Sequence, residues 1–232
     1  MSFVLNRTEI DIYASMLPAE EVGWDFYDFF FIDEENLAIV IADISGKGIS
    51  SAMYLSATKT LIKNNALLGK SPGEVFAMVN NTLCTNIDTS MFVTAFMAYY
   101  NTASGNLIYT NAGHNPPFIK KGGKDFEVLK IEPCLVLGCF KDIKYDEEMI
   151  TLESGDSIFL YTDGITEAMN IERELFSETR LHKVLIKHRN CSPKELISAV
   201  KLEIDVFTEG EEQSDDITML ALKIDHLTKK NQ

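Results

Sequence analysis

Two helical segments stand back to back in the first half of this chain, with short β-like runs on either side of them. Residues 50–68 repeat apolar side chains at helical spacing. Immediately afterwards, Ser71-Pro72-Gly73-Glu74 supplies an N-cap, a first-turn proline and a capping-box glutamate ahead of the apolar segment 75–83. A parallel βαβ repeat needs a strand after each crossover helix, so a consecutive helix pair argues against one. The flanking segments read as strands. Residues 22–32 (VGWDFYDFFFI) are rich in aromatic and β-branched side chains, and residues 37–42 (LAIVIA) are apolar throughout before breaking at Asp43 and SGKG. From 92 to about 151 the pattern is a meander of short β-runs separated by turns at 102–105 and Gly122-Gly123. A further strand, 157–161 (SIFLY), ends at Thr162-Asp163-Gly164.

Helical segments follow at 178–187 and 192–207, the second opened by another capping signature, Ser192-Pro193-Lys194-Glu195, and 217–224 reads as the last strand. Strand blocks separated by helix pairs predict an α+β fold, a layered αββα sandwich with two mainly antiparallel sheets inside and pairs of helices outside. One domain is expected over 19–226, with a lead-in at 1–18 and a polar tail at 227–232.

Composition narrows the function classes. The 232 residues are 46% hydrophobic, enough for a substantial core. No run of about 18 apolar residues could span a bilayer, and the opening MSFVLNRTEIDIY does not resemble a signal peptide, so a cytoplasmic location without membrane insertion is expected. Thirty-five acidic against 21 basic residues, a net charge of −14, disfavour nucleic acid as a partner. Cys84, Cys134, Cys139 and Cys191 lack zinc-like or paired spacing and are expected to be buried free thiols.

The positions of the acids carry the chemistry. Asp43 ends one apolar strand, Asp163 ends another, Asp215 and Asp216 open the last, and Asp25 lies within the first. Taken singly, an aspartate at a strand end is a turn former or a helix cap. Taken together, several partly buried carboxylates with few basic neighbours suit hard, oxygen-seeking ions, Mg²⁺ or Mn²⁺ rather than Zn²⁺. The loop Ser45-Gly46-Lys47-Gly48 is not a phosphate-binding P-loop, because Ile41 and Gly48 stand where that motif needs Gly and Ser/Thr. Gly46 and Lys47 remain candidates for contact with a substrate phosphate. His114 could serve as a general acid or simply fix its loop, and Glu167 could orient a water or cap a short helix. His182 and His188, six residues apart in a helical segment, do not share a ligand face and are expected at the surface.

Six blocks in order, VGWDFYDFF, ADISGKGISSAM, MFVTAF, NAGHNPP, YTDGITEA and SDDITM, resemble the stage II sporulation protein E group of the protein phosphatase 2C (PPM) superfamily, which includes the RsbU-type sigma-factor regulators. The resemblance spans about residues 13–225. It implies a phosphoserine/phosphothreonine protein phosphatase with two, or three, Mn²⁺ or Mg²⁺ ions. By it, Asp43 bridges two ions and Ile44 offers its backbone carbonyl. Asp163 and Asp215 ligate the first ion, Asp216 supports from behind, and Asp25 holds a coordinated water or a further ion.

Gly23-Trp24-Asp25 departs from the family's Gly-Gly-Asp, so Trp24 either displaces Asp25 or partly covers the site, or else fills a hydrophobic gap or an interface and leaves the acids alone. The resemblance also implies a phosphorylated STAS-type anti-sigma-factor antagonist as substrate, and control by an upstream sensor or a separate activator. Residues 8–17 would be the remnant of a connecting helix, through which a homodimer could form. The competing readings are a pseudophosphatase that binds its partner without turnover, and a small-molecule phosphohydrolase.

Overall fold

A computed structural model describes residues 8–46, 48–86, 91–132 and 134–225. The strands are β1 (Ile10–Leu17), β2 (Asp25–Phe31), β3 (Asn36–Ile44), β4 (Val93–Asn101), β5 (Asn106–Ala112), β6 (Phe118–Lys120), β7 (Phe126–Val128), β8 (Glu148–Thr151), β9 (Ser157–Tyr161) and β10 (Ile217–Ile224). The helices are α1 (Ile49–Leu67), α2 (Pro72–Asn86), α3 (Asp163–Thr166), α4 (Ser177–Lys187) and α5 (Pro193–Thr208). Every ladder between named strands is antiparallel, as the helix pairing predicts. The α+β class is therefore as expected.

The chain falls into two compact units interleaved along it. The first unit comprises the described residues within Met1–Glu21, Asn115–Leu129 and Leu152–Gln232. It holds a five-stranded sheet of order β1-β10-β9-β6-β7. One face of this sheet, through Phe159, Tyr161, Met219 and Ala221, joins Leu181 and Leu185 of α4 and Leu196, Val200 and Ile204 of α5 in a buried core. The second unit, Val22–His114 and Lys130–Thr151, holds the sheet β2-β3-β4-β5-β8. Val40, Ala42 and Ile44 of β3, with Ala95 and Met97 of β4, pack with Tyr54 and Ile62 of α1 and Phe76 and Val79 of α2.

Sequence and structure part at the beginning of the chain. Residues 10–17 form a strand, β1, paired along its whole length with β10 from Ile10↔Ile224 to Leu17↔Ile217, and are not the remnant of a connecting helix. Ile10, Ile12, Ala14 and Met16 alternate with Asp11, Tyr13 and Ser15, a period of two that suits a sheet and not a helix. The cysteines are free as expected but not fully buried. Cys84, Cys134 and Cys191 are half-buried and Cys139 is exposed, because Cys139 lies in a surface loop. His182 is held inward, against expectation. Its ring stacks on Phe118 at 5.3 Å and donates to the Phe126 carbonyl, since α4 turns that residue toward the sheet.

The second capping signature is realised in full: Ser192 Oγ accepts from the Glu195 amide, and the Glu195 carboxylate accepts from the Ser192 amide at 2.9 Å. Hydrogen bonds from the Ser192 backbone and hydroxyl hold the Glu195 carboxyl below its usual range. Ser192→Ala should lower stability by about 1 kcal/mol in urea unfolding at neutral pH. A depressed carboxyl pKa contributes stability above its unfolded value and loses it as pH falls through the folded one. The gap between wild type and variant should therefore narrow in acid; a gap that is constant with pH would exclude the carboxylate's share.

Candidate functional site

In the second unit the register of the sheet sets the acids. Asp25 pairs directly with Asp43 across β2 and β3, and Asp43 pairs in turn with Thr94 of β4. Residues directly opposite in a ladder share a face. The three therefore form a row at one end of the sheet, on the face away from α1 and α2, in line with the buried Ile41, Ile39 and Leu37. Asp25 is only 3% exposed, and Asp43 is half-buried. Like charges directly opposite one another in a sheet are destabilising unless other groups offset them.

The surrounding hydrogen bonds hold the row in place. Ser45 donates its amide to the Phe92 carbonyl at 3.0 Å, and its hydroxyl accepts from the Phe92 amide at 2.7 Å, fixing the chain just past Ile44. Gly46 continues the turn at φ +93°, in the left-handed region that favours glycine. Lys47 lies outside the described residues. His114 is buried; its Nδ1 meets Thr94 Oγ1 at 2.9 Å, its amide donates to Asn111 Oδ1, and its carbonyl accepts from Asn111 Nδ2. The histidine thereby ties the NAGHNPP loop to the strand opposite Asp43. Trp24 is buried at 7% exposure, and its carbonyl accepts from the Ile44 amide at 3.3 Å. The indole is thus packed inside the protein, while Asp25 keeps its place opposite Asp43.

The first unit carries the other acids. Asp163 does not end β9 but opens the short helix α3, and Glu167 caps that helix at its far end while remaining exposed. The Asp163 carboxyl is raised above the ordinary range by burial first, then by the charges of Glu167 and Asp215. A divalent cation there would favour the ionised form instead. Backbone proximity produces this crowding: a Cβ on Gly164 would lie 2.0 Å from the Asp216 carbonyl oxygen, so only glycine lets the start of α3 rest against the Asp215-Asp216 segment.

Thr162 braces the same junction. Its amide donates to the Thr218 carbonyl at 3.1 Å, and its hydroxyl accepts from the Thr218 amide at 3.0 Å. Asp216, 2% exposed, accepts from the Ala19 amide at 2.8 Å, and its own amide donates to Asp215 Oδ1 at 2.8 Å. Gln213 donates to the carbonyls of both Asp215 and Leu17.

Thr94, Thr162 and Gln213 were not singled out from sequence. Thr94 and Thr162 stand inside the MFVTAF and YTDGITEA blocks, which was the available signal, whereas Gln213 sits in an acidic loop with none. Among the described residues no three His, Cys, Asp or Glu side chains form a ready-made ligand cage. Carboxylate and carbonyl oxygens, the polar groups gathered around these acids, are of the kind that would fit Mg²⁺ or Mn²⁺. No helix among the described residues is long and apolar enough to cross a membrane.

A model of the stage II sporulation protein E (SpoIIE) family matches residues 33–225. The chain belongs to the stage II sporulation protein E family. Among its relatives is the phosphoserine phosphatase RsbU of Bacillus subtilis (strain 168), 33% identical over 224 residues that make up 95% of this chain and 65% of RsbU. Two other curated relatives are spanned to only 37% and 41% of their length. The fold is that of the SiaA-PP2C domain of Pseudomonas aeruginosa, with a TM-score of 0.82 at 19% identity, covering 92% of this chain and 86% of that one. It is also that of RsbX, solved in complex with magnesium, with a TM-score of 0.71 at 17% identity, covering 97% of this chain and all of the other (100%). SpoIIE-family membership thus agrees with the two antiparallel sheets and their helix pairs.

Gly164→Ala should disturb both fold and site. The added methyl forces α3 away from Asp216, at a cost of roughly 1–3 kcal/mol, and should lower Tm and weaken Mn²⁺ binding together. Unchanged Tm and unchanged metal affinity would show that the close approach is not required.

Proposed function

We propose that this chain is a metal-dependent protein phosphatase that hydrolyses phosphoserine or phosphothreonine on a bacterial signalling protein, a STAS-type anti-sigma-factor antagonist. The observation that carries the reading is SpoIIE-family membership at 33% identity to a phosphoserine phosphatase. The acids of the family motifs stand at Asp43, Asp163 and Asp215. In this reading Asp43, Asp163, Asp215 and Asp25, with the carbonyl of Ile44, hold two or three Mn²⁺ or Mg²⁺ ions. Such ions supply Lewis-acid charge for the phosphoryl oxygens and acidify the attacking water.

The chain's own residues do the rest. Asp43 and Asp25 present paired negative charge from fixed register positions, and Asp163 and Asp215 present a second pair braced by Thr162. Asp216 acts through Asp215 and the Ala19 amide as a positioning residue, and His114 positions Thr94 and its loop. Gly46 leaves the backbone of its loop uncovered for a substrate phosphate, and Lys47 supplies a positive charge to it. No covalent nucleophile takes part, so the phosphoryl group passes directly to water. An upstream sensor segment or a separate activator sets when this happens.

The test is phosphate release from a phosphoserine-bearing STAS protein with and without Mn²⁺. Wild type should require the metal, and Asp43→Asn and Asp163→Asn should each lose on the order of 100-fold in rate. Metal-independent release, or full activity in both variants, would refute the mechanism. A folded, metal-loaded wild type that binds the phosphoprotein without releasing phosphate would make the chain a binding module instead.

A further inference from the structure

We propose that Cys84 and Cys139 form a reversible disulfide that staples the loop after Leu137 onto helix α2. The anchoring is already built. Asn80, fully buried on α2, accepts from the Gly138 amide through Oδ1 at 2.8 Å and donates from Nδ2 to the Phe140 carbonyl at 2.7 Å. One side chain therefore grips the backbone on both sides of Cys139. Asn81 extends the grip, its Oδ1 accepting from the Asp142 amide at 2.8 Å.

Cys84 lies one helical turn beyond Asn80 on the same face of α2, and its Sγ donates to the same Asn80 Oδ1 at 3.7 Å. The Cys84 sulfur and the amide next to Cys139 thus converge on one oxygen atom. Exposure divides the roles. Cys139 is open to a soluble oxidant, and Cys84 is half-buried. Burial raises the Cys84 thiol pKa, and the neighbouring Cys139 sulfur adds to the rise.

With hydrogen peroxide as oxidant, the Cys139 thiolate attacks one peroxide oxygen, giving a sulfenic acid and releasing hydroxide, which protonates to water. The Cys84 sulfur then displaces that hydroxyl as a second water and the S–S bond forms. Two thiols have lost two electrons and two protons, and one peroxide has become two waters. A dithiol reductant reverses the step. The staple has a structural consequence, because Leu137 exchanges both backbone hydrogen bonds with Val93, the residue beside Thr94. Oxidation therefore pins the loop that seats the start of β4, one residue from the position opposite Asp43.

The experiment treats the reduced full chain with hydrogen peroxide and maps its peptides without reductant. The expected result is an intact mass lower by two hydrogens, restored by dithiothreitol, with a cross-linked peptide joining Cys84 to Cys139. The mass loss should vanish in Cys84→Ser and in Cys139→Ser and persist in a Cys134→Ser/Cys191→Ser double variant. Folded wild type that ends with Cys139 as sulfinic or sulfonic acid and Cys84 unmodified would overturn the proposal. So would a bridge from Cys139 to Cys134 or Cys191.

Discussion

Asp25 opposite Asp43 is the contact on which the account of this protein rests. The register that sets it is not adjustable. Phe26, Val40, Ala42 and Ile44 must face α1 and α2, and a slip of one residue would turn the whole apolar set to the wrong side of the sheet. Lys59 and Lys63 of α1 lock the register further, since Lys59 donates to the Tyr27 carbonyl at 3.0 Å and Lys63 pairs with Asp28 at 3.3 Å while covering the Phe30 ring. With that register fixed, Asp25 and Asp43 stand directly opposite one another. Two acids thus stand at the end of a strand that is buried along most of its length.

The same principle operates in the first unit by different means. There the backbone does the crowding: Gly164 admits the Asp216 carbonyl where any side chain would exclude it, and Thr162 with Thr218 holds the two segments together. Asp163 is left in a setting that raises its pKa through burial and two acidic neighbours. In both units, apolar packing and backbone hydrogen bonds determine where the acids stand, and in the first unit Asp215 and Asp216 add carboxylate hydrogen bonds of their own.

Much of this was legible in the sequence, for identifiable reasons. Helices α2 and α5 announce themselves through local chemistry, a cap and a first-turn proline, which does not depend on the rest of the chain. Strand β9 and strand β10 are short apolar runs bounded by turn residues, and both were read with their observed limits. The acids were found because they sit where such runs stop.

What escaped notice depends on distant partners. Strand β1 is half polar and gains its identity only by pairing with β10, some 200 residues away in sequence. The inward turn of His182 depends on Phe118 and Phe126, and the bracing by Thr162 and Gln213 depends on backbone groups that no local pattern reveals.

The most direct test of the central claim is calorimetric titration of the purified chain with Mn²⁺, beside Asp25→Asn and Asp43→Asn. The account predicts saturable binding to wild type at two or more sites, with affinity falling on the order of 10- to 100-fold in Asp43→Asn and a smaller loss in Asp25→Asn. Wild-type affinity retained in both variants, or no saturable binding to the folded wild type, would contradict it.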